Sequence, residues 1–516
     1  MQPPPSPAKH ADLVVVGAGS AGAVIASRVT EREDRDVLLL EAGPDYPDAG
    51  RLPPDLVNGS RNSWRIHDWG YRHRPTPSQI PFVYPRGRVV GGSSAVNTCI
   101  AIRPRPYDLE EWAALGLPDW GWEACLPYLK RLEDDRDSDA PWHGKGGPVP
   151  VRRHPPEELA LFQAAFVEAA RGLGYPDCPD TNDPATEGGI GAHAMNKIGG
   201  VRMSAARCYL TPEVRARSGL RLSAGTQVRR VLFRNRKVEG IEIDRGGQVE
   251  RIATRKVVLS AGAIATPGIL LRSGVGPRED VARLGVELVS EVPAVGARLL
   301  DHPGAAIFLL PRRRGLCQLT DPLIQTVLTY TSAESPYPLD MQVQAGSFVP
   351  LHPRLTLPLF SLMCCIGKPQ GLGEIRYTST DLRVGPEIHS NFLLDREDHR
   401  RAVEALMLAR ELCRMEPIRR LARPLWPLDG TLADRARLGA WIYKSCGSGY
   451  HPCGTVPMGP EGAPAAAVDG RGRVRGVEGL IVADASIMPT IPSVNTNVTT
   501  LMIGERFGEW LREGAL

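Results

Sequence analysis

The first fifty residues constrain this chain most tightly. Asp12 to Val16, DLVVV, is a β-branched run closed off by glycine, the pattern of a strand buried on both faces. GAGSAG follows at once, and an Ala/Val/Ile-rich helix then extends to about Arg32. Asp36 to Gly43, DVLLLEAG, reads as a second buried strand. Strand, helix and strand of this texture form a βαβ unit, which demands a parallel sheet covered on both faces. The glycine spacing adds chemistry to topology. Gly17 allows a tight turn, Gly19 lets the backbone approach a pyrophosphate, and Gly22 lets helix and strand pack closely. Ser20 opens the helix, whose N-terminal dipole faces the phosphates. Glu41 ends the second strand, where a carboxylate accepts from ribose hydroxyls and disfavours a 2′-phosphate.

GxGxxG alone does not separate NAD from FAD, but two further segments do. Gly91, Gly92, Ser93 and Ser94 lie inside RGRVVGGSSAVNTCIAIRP, Arg86 to Pro104, and offer backbone amides without Cβ obstruction. VLSAGAIATP, after another strand, offers a similar close approach. These extra approaches suit an extended FAD lying through a domain better than an NAD held at one crevice.

At 516 residues the chain exceeds one compact core, so two or more domains are expected. A net charge of +4 is small for this length and gives no reason to invoke nucleic acid or an anionic membrane. The longest apolar candidate, Leu355 to Ile366, contains Pro358 and is too short to span a bilayer. The ten Cys form no CxxC pair and no zinc spacing, so no metal site is expected. Scattered thiols and an N-terminus, MQPPPSPAKHAD, without an apolar signal core make a cytoplasmic protein the expectation.

Elsewhere, Leu159, Phe162, Phe166 and Leu173 recur at helical spacing up to Gly174. Leu220 to Ile252 reads as a small meander turning at Gly246-Gly247, and Thr254 to Gly274 as strand, tight turn and helix. Gly304 to Met415 reads as mixed sheet with helices, clearest over Glu397 to Met415. Leu480 to Ser486 returns to strand, followed by a helix from about Val498.

Several segments together resemble the glucose–methanol–choline (GMC) oxidoreductases. GRVVGGSSAVNTCIA, Gly87 to Ala101, looks like the family's first signature and GAIATPGILLRSGVG, Gly262 to Gly276, like its second. HGKGGP, Asp301-His302-Pro303, YHPCGTVPMG and VADASIMP are further family-like segments in the expected order. The resemblance covers nearly the whole chain and leans to the choline-oxidase-like branch. It implies an α/β fold with α+β elements: a Rossmann-like FAD-binding domain and a discontinuous substrate-binding domain built on a mixed or antiparallel sheet. The expected FAD domain takes residues 1–157, 197–303 and 449–516, and the substrate domain residues 158–196 and 304–448. The implied activity is oxidation of an alcohol to a carbonyl compound. The implied partners are a small-molecule alcohol and oxygen or another electron acceptor. No oligomeric state is implied.

Such a reaction needs a base for the hydroxyl proton, and histidine is the usual candidate. Of the eleven His, His451 matches the family's catalytic position, with Asn495 in VNTN at the partner position as the orienting group. A turn or cap is the alternative reading of Asn495. His302 reads as a structural hydrogen bond at a domain crossover. Asn97, Asn497 and Asp484 match flavin-contact positions, Asp484 also suiting an N-cap, and Val228 matches the position holding the adenine. Val96 stands where some relatives carry a flavin-linked His, so non-covalent FAD is expected. Gly304 stands where choline recognisers carry a carboxylate; its small size argues against choline and for a roomier cavity. Gln344, Ser347 and Tyr450 are expected near the substrate, which then is a larger neutral or amine-bearing primary alcohol of aryl, furan or sugar type. Rival readings on the same fold are a hydroxynitrile lyase, a light-driven fatty-acid decarboxylase and a non-catalytic flavoprotein.

Overall fold

The computed structural model describes residues 9–352 and 355–516; most of the proline-rich start, residues 1–8, lies outside the described residues. The N-terminal βαβ unit forms as the sequence predicts. Leu13–Val16 and Val37–Leu40 pair in parallel, with Val14 opposite Leu38. They sit inside a five-stranded sheet in the order Leu220–Ser223, Val37–Leu40, Leu13–Val16, Val257–Leu259, Leu480–Val482, every pairing parallel. The three inner strands are buried at every residue, as a sheet covered on both faces requires. Helix Ser20–Val29 stops short of Arg32 because the Thr30 hydroxyl turns back to donate to Ala26 O and Ser27 O. It packs against the C-terminal helix Thr496–Arg512, where buried Glu505 accepts from the Arg28 guanidinium at 2.7 and 2.8 Å and from Tyr209 Oη at 2.7 Å.

One strand departs from expectation. Leu220–Ser223 is not part of the meander but the edge strand of the parallel sheet, beside Val37–Leu40. Gly225, at φ +64°, turns the chain out of the sheet, and the meander proper is Gln227–Arg234, Lys237–Arg245 and Gln248–Ala253. A short alternating strand has the same pattern in either setting, so only pairing distinguishes them.

A second sheet has seven antiparallel strands. Six run in the order Ala422–Trp426, Pro303–Pro311, Phe360–Ile366, Met341–Gly346, Thr326–Tyr330, Gly189–Ala192, with Gly447–Ser448 also pairing Pro303–Pro311. Alternation divides its faces. Ala305, Ile307 and Leu309 bury against helices Leu161–Gly172 and Arg396–Arg414 in a hydrophobic core separate from that of the parallel sheet. Phe162 stacks on Phe360 at 4.3 Å within it. Ala306 and Phe308, on the opposite face, line a cavity. Among the described residues no helix is long and apolar enough to cross a membrane.

Candidate active site

The cavity, about 930 Å³, runs from the glycine turns of the parallel sheet to the antiparallel sheet above. At the first end Gly17 holds φ +96°, and a Cβ on Gly22 would lie 1.8 Å from Gly17 O. Gly92, at φ +53°, brings the Arg86–Pro104 segment against this turn: a Cβ there would lie 2.8 Å from Gly19 Cα. Gly91 N donates to Ala18 O at 2.7 Å, locking the two glycine segments together. Helix Ser20–Val29 begins at Gly19 with no side-chain cap and no acid in its first turn, leaving its amides and positive dipole end open to the cavity. Ser20 Oγ donates to Asn497 Oδ1 at 2.8 Å, joining this N-terminus to that of the C-terminal helix.

Glu41 accepts from Ala18 N at 3.1 Å and Gly43 N at 2.8 Å, and burial pushes its carboxyl up to about 7. Asp484 accepts from Gly262 N, Thr266 Oγ1, Ser486 N and Ser486 Oγ. It thus caps the turn after Leu480–Val482 and secures the Gly262 turn, while burial raises its carboxyl. Asn97 Oδ1 accepts from Cys99 N at 3.0 Å.

At the other end, Asp301 organises the chain. Its Oδ1 accepts from the backbone N of His302 and of His451, each at 2.8 Å; its Oδ2 accepts from Tyr84 Oη at 2.6 Å and from Ser448 Oγ. Four bonds on one fully buried carboxylate fix where both imidazoles begin. Arg86 Nη2 donates to Tyr450 O at 2.7 Å and holds Tyr450 at φ +66°, with Trp64 edge-on to its ring at 6.1 Å.

The proton positions follow from a carbonyl. His302 Nε2 lies 2.9 Å from Pro492 O, which can only accept, so Nε2 carries the proton. Burial holds His302 down to about 4, so it is neutral and its Nδ1 is bare. That Nδ1 lies 2.9 Å from His451 Nδ1, which must therefore donate. Burial first, then His302 and Arg86, hold His451 well below the usual imidazole range, so it too is neutral and its Nε2 is the bare nitrogen. Asn495 Nδ2 donates to it at 2.9 Å. Asn495 stands at the N-cap of helix Thr496–Arg512 but makes no side-chain cap; its Oδ1 is buried without a partner among the described residues. The arrangement presents a neutral imidazole with one fixed, unprotonated nitrogen at a cavity wall.

Residues 11–304 and 369–504 match two family profiles, each described as GMC oxidoreductase. The chain belongs to the GMC oxidoreductase family. It is 33% identical to a 5-(hydroxymethyl)furfural oxidase of Methylovorus sp. (strain MP688) over 96% of this chain and 98% of that protein. It is 33% identical to a mitochondrial choline dehydrogenase of Mus musculus over 97% of this chain and 89% of that protein. The fold matches the crystal structure of pyridoxine 4-oxidase from Mesorbium loti with a TM-score of 0.89 at 29% identity, covering 97% and 99% of the two chains. GMC oxidoreductases use FAD and act on CH–OH donors. Here the uncapped helix N-terminus, the two interlocked glycine segments and the length of the cavity fit that cofactor.

In this GMC oxidoreductase Gly17, Gly19, Ser20, Glu41, Gly92, Ser93, Asn97, Val228, Asp484 and Asn497 line the cavity, together with Gln344, Tyr450, His451 and Asn495. Gly22 and Gly91 stand behind the lining and serve close packing. Gly304 is a correction: it does not line the main cavity, and a Cβ there would meet Cys364 O at 2.9 Å and Cys365 Sγ at 3.0 Å, so its smallness is taken up by the neighbouring strand. Ser347 is another, fully buried and accepting from Gln163 Nε2 at 3.0 Å away from the cavity. Asp301 and the reach of His302 to His451 were not read from the sequence; Asp301-His302-Pro303 was the signal available.

Glu133, Asp135 and His143 lie close enough to hold a cation. Arg103 pairs with Glu133, and Arg153 with Asp135 and Asp180. His143 Nδ1 and Nε2 lie 2.9 and 2.8 Å from Glu133 and Asp180. Burial opposes the charge, but these bonds prevail and raise His143 to about 9, so imidazolium and two guanidinium groups balance the three carboxylates.

Proposed function

We propose that this protein oxidises a neutral primary alcohol on a flat ring to the aldehyde, with His451 Nε2 as the base. The observation that carries this reading is the relay from Pro492 O through His302 to His451, which leaves Nε2 bare at the cavity wall. The alcohol takes the place of Asn495 Nδ2 at His451 Nε2: its hydroxyl donates to Nε2, and its oxygen accepts from the Asn495 amide so released. As His451 becomes imidazolium, its Nδ1–H bond to neutral His302 becomes charge-assisted and strengthens. Bound along the glycine segments, FAD supplies the acceptor for the hydride that leaves the carbinol carbon. Gly17, Gly19, Ser20, Gly92 and Ser93 would hold its phosphates, Glu41 a ribose, Val228 the adenine, and Asn97, Asp484 and Asn497 the remainder. We assign the described part of residues 1–157, 197–303 and 449–516 to the cofactor domain, and that of 158–196 with 304–448 to the substrate domain. Val96 offers no nucleophile, which supports non-covalent FAD.

Among the described residues, the acids lining the cavity are Glu41 and Asp484, both at the glycine end. A quaternary ammonium at the His451 end therefore meets no carboxylate of that lining, only aromatic rings such as Trp64 and Tyr450, which weighs a neutral ring alcohol above choline. Relatives named for 5-(hydroxymethyl)furfural and pyridoxine support a ring bearing a hydroxymethyl group.

The test is the visible spectrum of the purified protein, taken anaerobically before and after adding a panel of alcohols. Bleaching of the flavin band by ring-borne primary alcohols is expected; admission of air then tests oxygen as acceptor. A yellow protein that no alcohol bleaches sinks the proposal.

A further inference from the structure

A second polar relay enters the cavity from the antiparallel sheet, and it starts one residue from the first. Gln342 and Gln344 share a face of strand Met341–Gly346, both nearly fully buried. Gln342 Nε2 donates to Ser493 O at 3.4 Å. Because a carbonyl only accepts, the Gln342 amide has one orientation, and its Oε1 points the other way. That Oε1 accepts from Gln344 Nε2 at 3.1 Å. Gln344 is thereby oriented in turn: its NH₂ is tied back to Gln342, and its Oε1, which no described residue engages, faces the cavity that Gln344 lines.

We infer that Gln344 Oε1 is a fixed acceptor that selects substrates carrying a second hydrogen-bond donor, a hydroxyl or N–H at the far end from the reacting alcohol. This rests on the reading of the cavity as an alcohol-oxidising site. The register sets the span. Gln344 lies opposite Met363, and Met363 opposite Ala306 on the strand that His302 leads into. Two strand spacings, roughly 10 Å, separate the backbone of Gln344 from that of Ala306, so the acceptor stands apart from the strand that His302 leads into. Both relays begin on consecutive carbonyls, Pro492 and Ser493. The segment that bears them is pinned: Asp108 accepts from Ser493 N at 2.8 Å and Ser493 Oγ at 2.9 Å, and Lys368 Nζ donates to Ile491 O at 2.8 Å. One rigid loop therefore sets the base at one end and the acceptor at the other. A buried amide oxygen left unpaired penalises a substrate with an apolar group there, which makes the selection act by exclusion as well as attraction.

The experiment compares the holoenzyme's kcat/KM for 1,4-benzenedimethanol and its near-isostere 4-ethylbenzyl alcohol. The same visible spectra give dissociation constants for 4-hydroxyacetophenone and 4-methylacetophenone, which carry no oxidisable alcohol. The expected result is a preference of about 10- to 100-fold for the donor-bearing member of each pair. In Gln344→Met that ratio falls to near one. Gln342→Met, which leaves Gln344 in place but unties its amide, lowers the ratio part of the way. Equal treatment of both pairs by the wild-type protein, or a ratio unchanged in Gln344→Met, overturns the inference. Bleaching without discrimination rejects this inference and leaves the proposed function standing. Discrimination between the ketones with no bleaching by any alcohol does the reverse.

Discussion

Replacing His302 tests the tautomer argument directly. In His302→Leu the imidazole that accepts from His451 Nδ1–H is gone, and Pro492 O loses its donor. While His451 is neutral, the lost bond is worth about 1 kcal/mol. Once His451 holds the substrate proton, the same bond is charge-assisted and worth about 1.5–3 kcal/mol. The larger loss falls on the state reached by proton transfer, so the barrier rises by up to the difference, about 0.5–2 kcal/mol, or about 2- to 30-fold in rate. His302→Gln is the counterpart: its Oε1 can accept from His451 while its Nε2 donates to Pro492 O. The assay is anaerobic stopped-flow reduction of the flavin at saturating alcohol, with flavin content checked first. Expected are a His302→Leu slower by about 2- to 30-fold and a His302→Gln that recovers most of the rate. Reduction in His302→Leu as fast as in wild type would refute the reasoning, and so would a fully loaded His302→Gln as slow as the leucine variant.

Gly92→Ala forces a Cβ to 2.8 Å from Gly19 Cα at φ +53°, so it should weaken FAD retention at least about tenfold; Gly246→Ala, strained at φ +62° but with nothing within 4 Å, should keep its flavin. The flavin-to-protein absorbance ratio on purification reads both. Stability should fall on acidification below about pH 6.5. His73 and His193 are buried and held down to about 3, so the unfolded chain binds their protons first as pH drops from 6.5. At pH 5 each costs about 2 kcal/mol, from 1.36 kcal/mol per unit over that interval. The Glu41 carboxyl, raised to about 7, takes up its proton in the folded chain first and offsets about one of these two contributions, so a urea midpoint at pH 5 equal to or above that at pH 7 would contradict the burial of both imidazoles in neutral form.

The first two strands, the glycine turn and the helix between them were legible because they meet within one βαβ unit: Val14 lies opposite Leu38, and Glu41 accepts from Ala18 N. The base was legible only by likeness, since a histidine between Tyr450 and Pro452 has no local property that marks it. Leu220–Ser223 misled because a short alternating strand does not name its partner. Gly304 misled because a missing side chain suggests space, while Cys364 and Cys365 across the strand pair fill it.

The sequence by itself determined that this chain builds a dinucleotide turn and carries an imidazole and an amide near its end. Tertiary structure alone decided which nitrogen of His451 is bare and which oxygen of Gln344 is offered. Those choices rest on partners 149, 190 and 151 residues apart: His302 with His451, His302 with Pro492, and Gln342 with Ser493. A hydrogen atom's position is set by the group it points at, and that group is known only once the chain has folded.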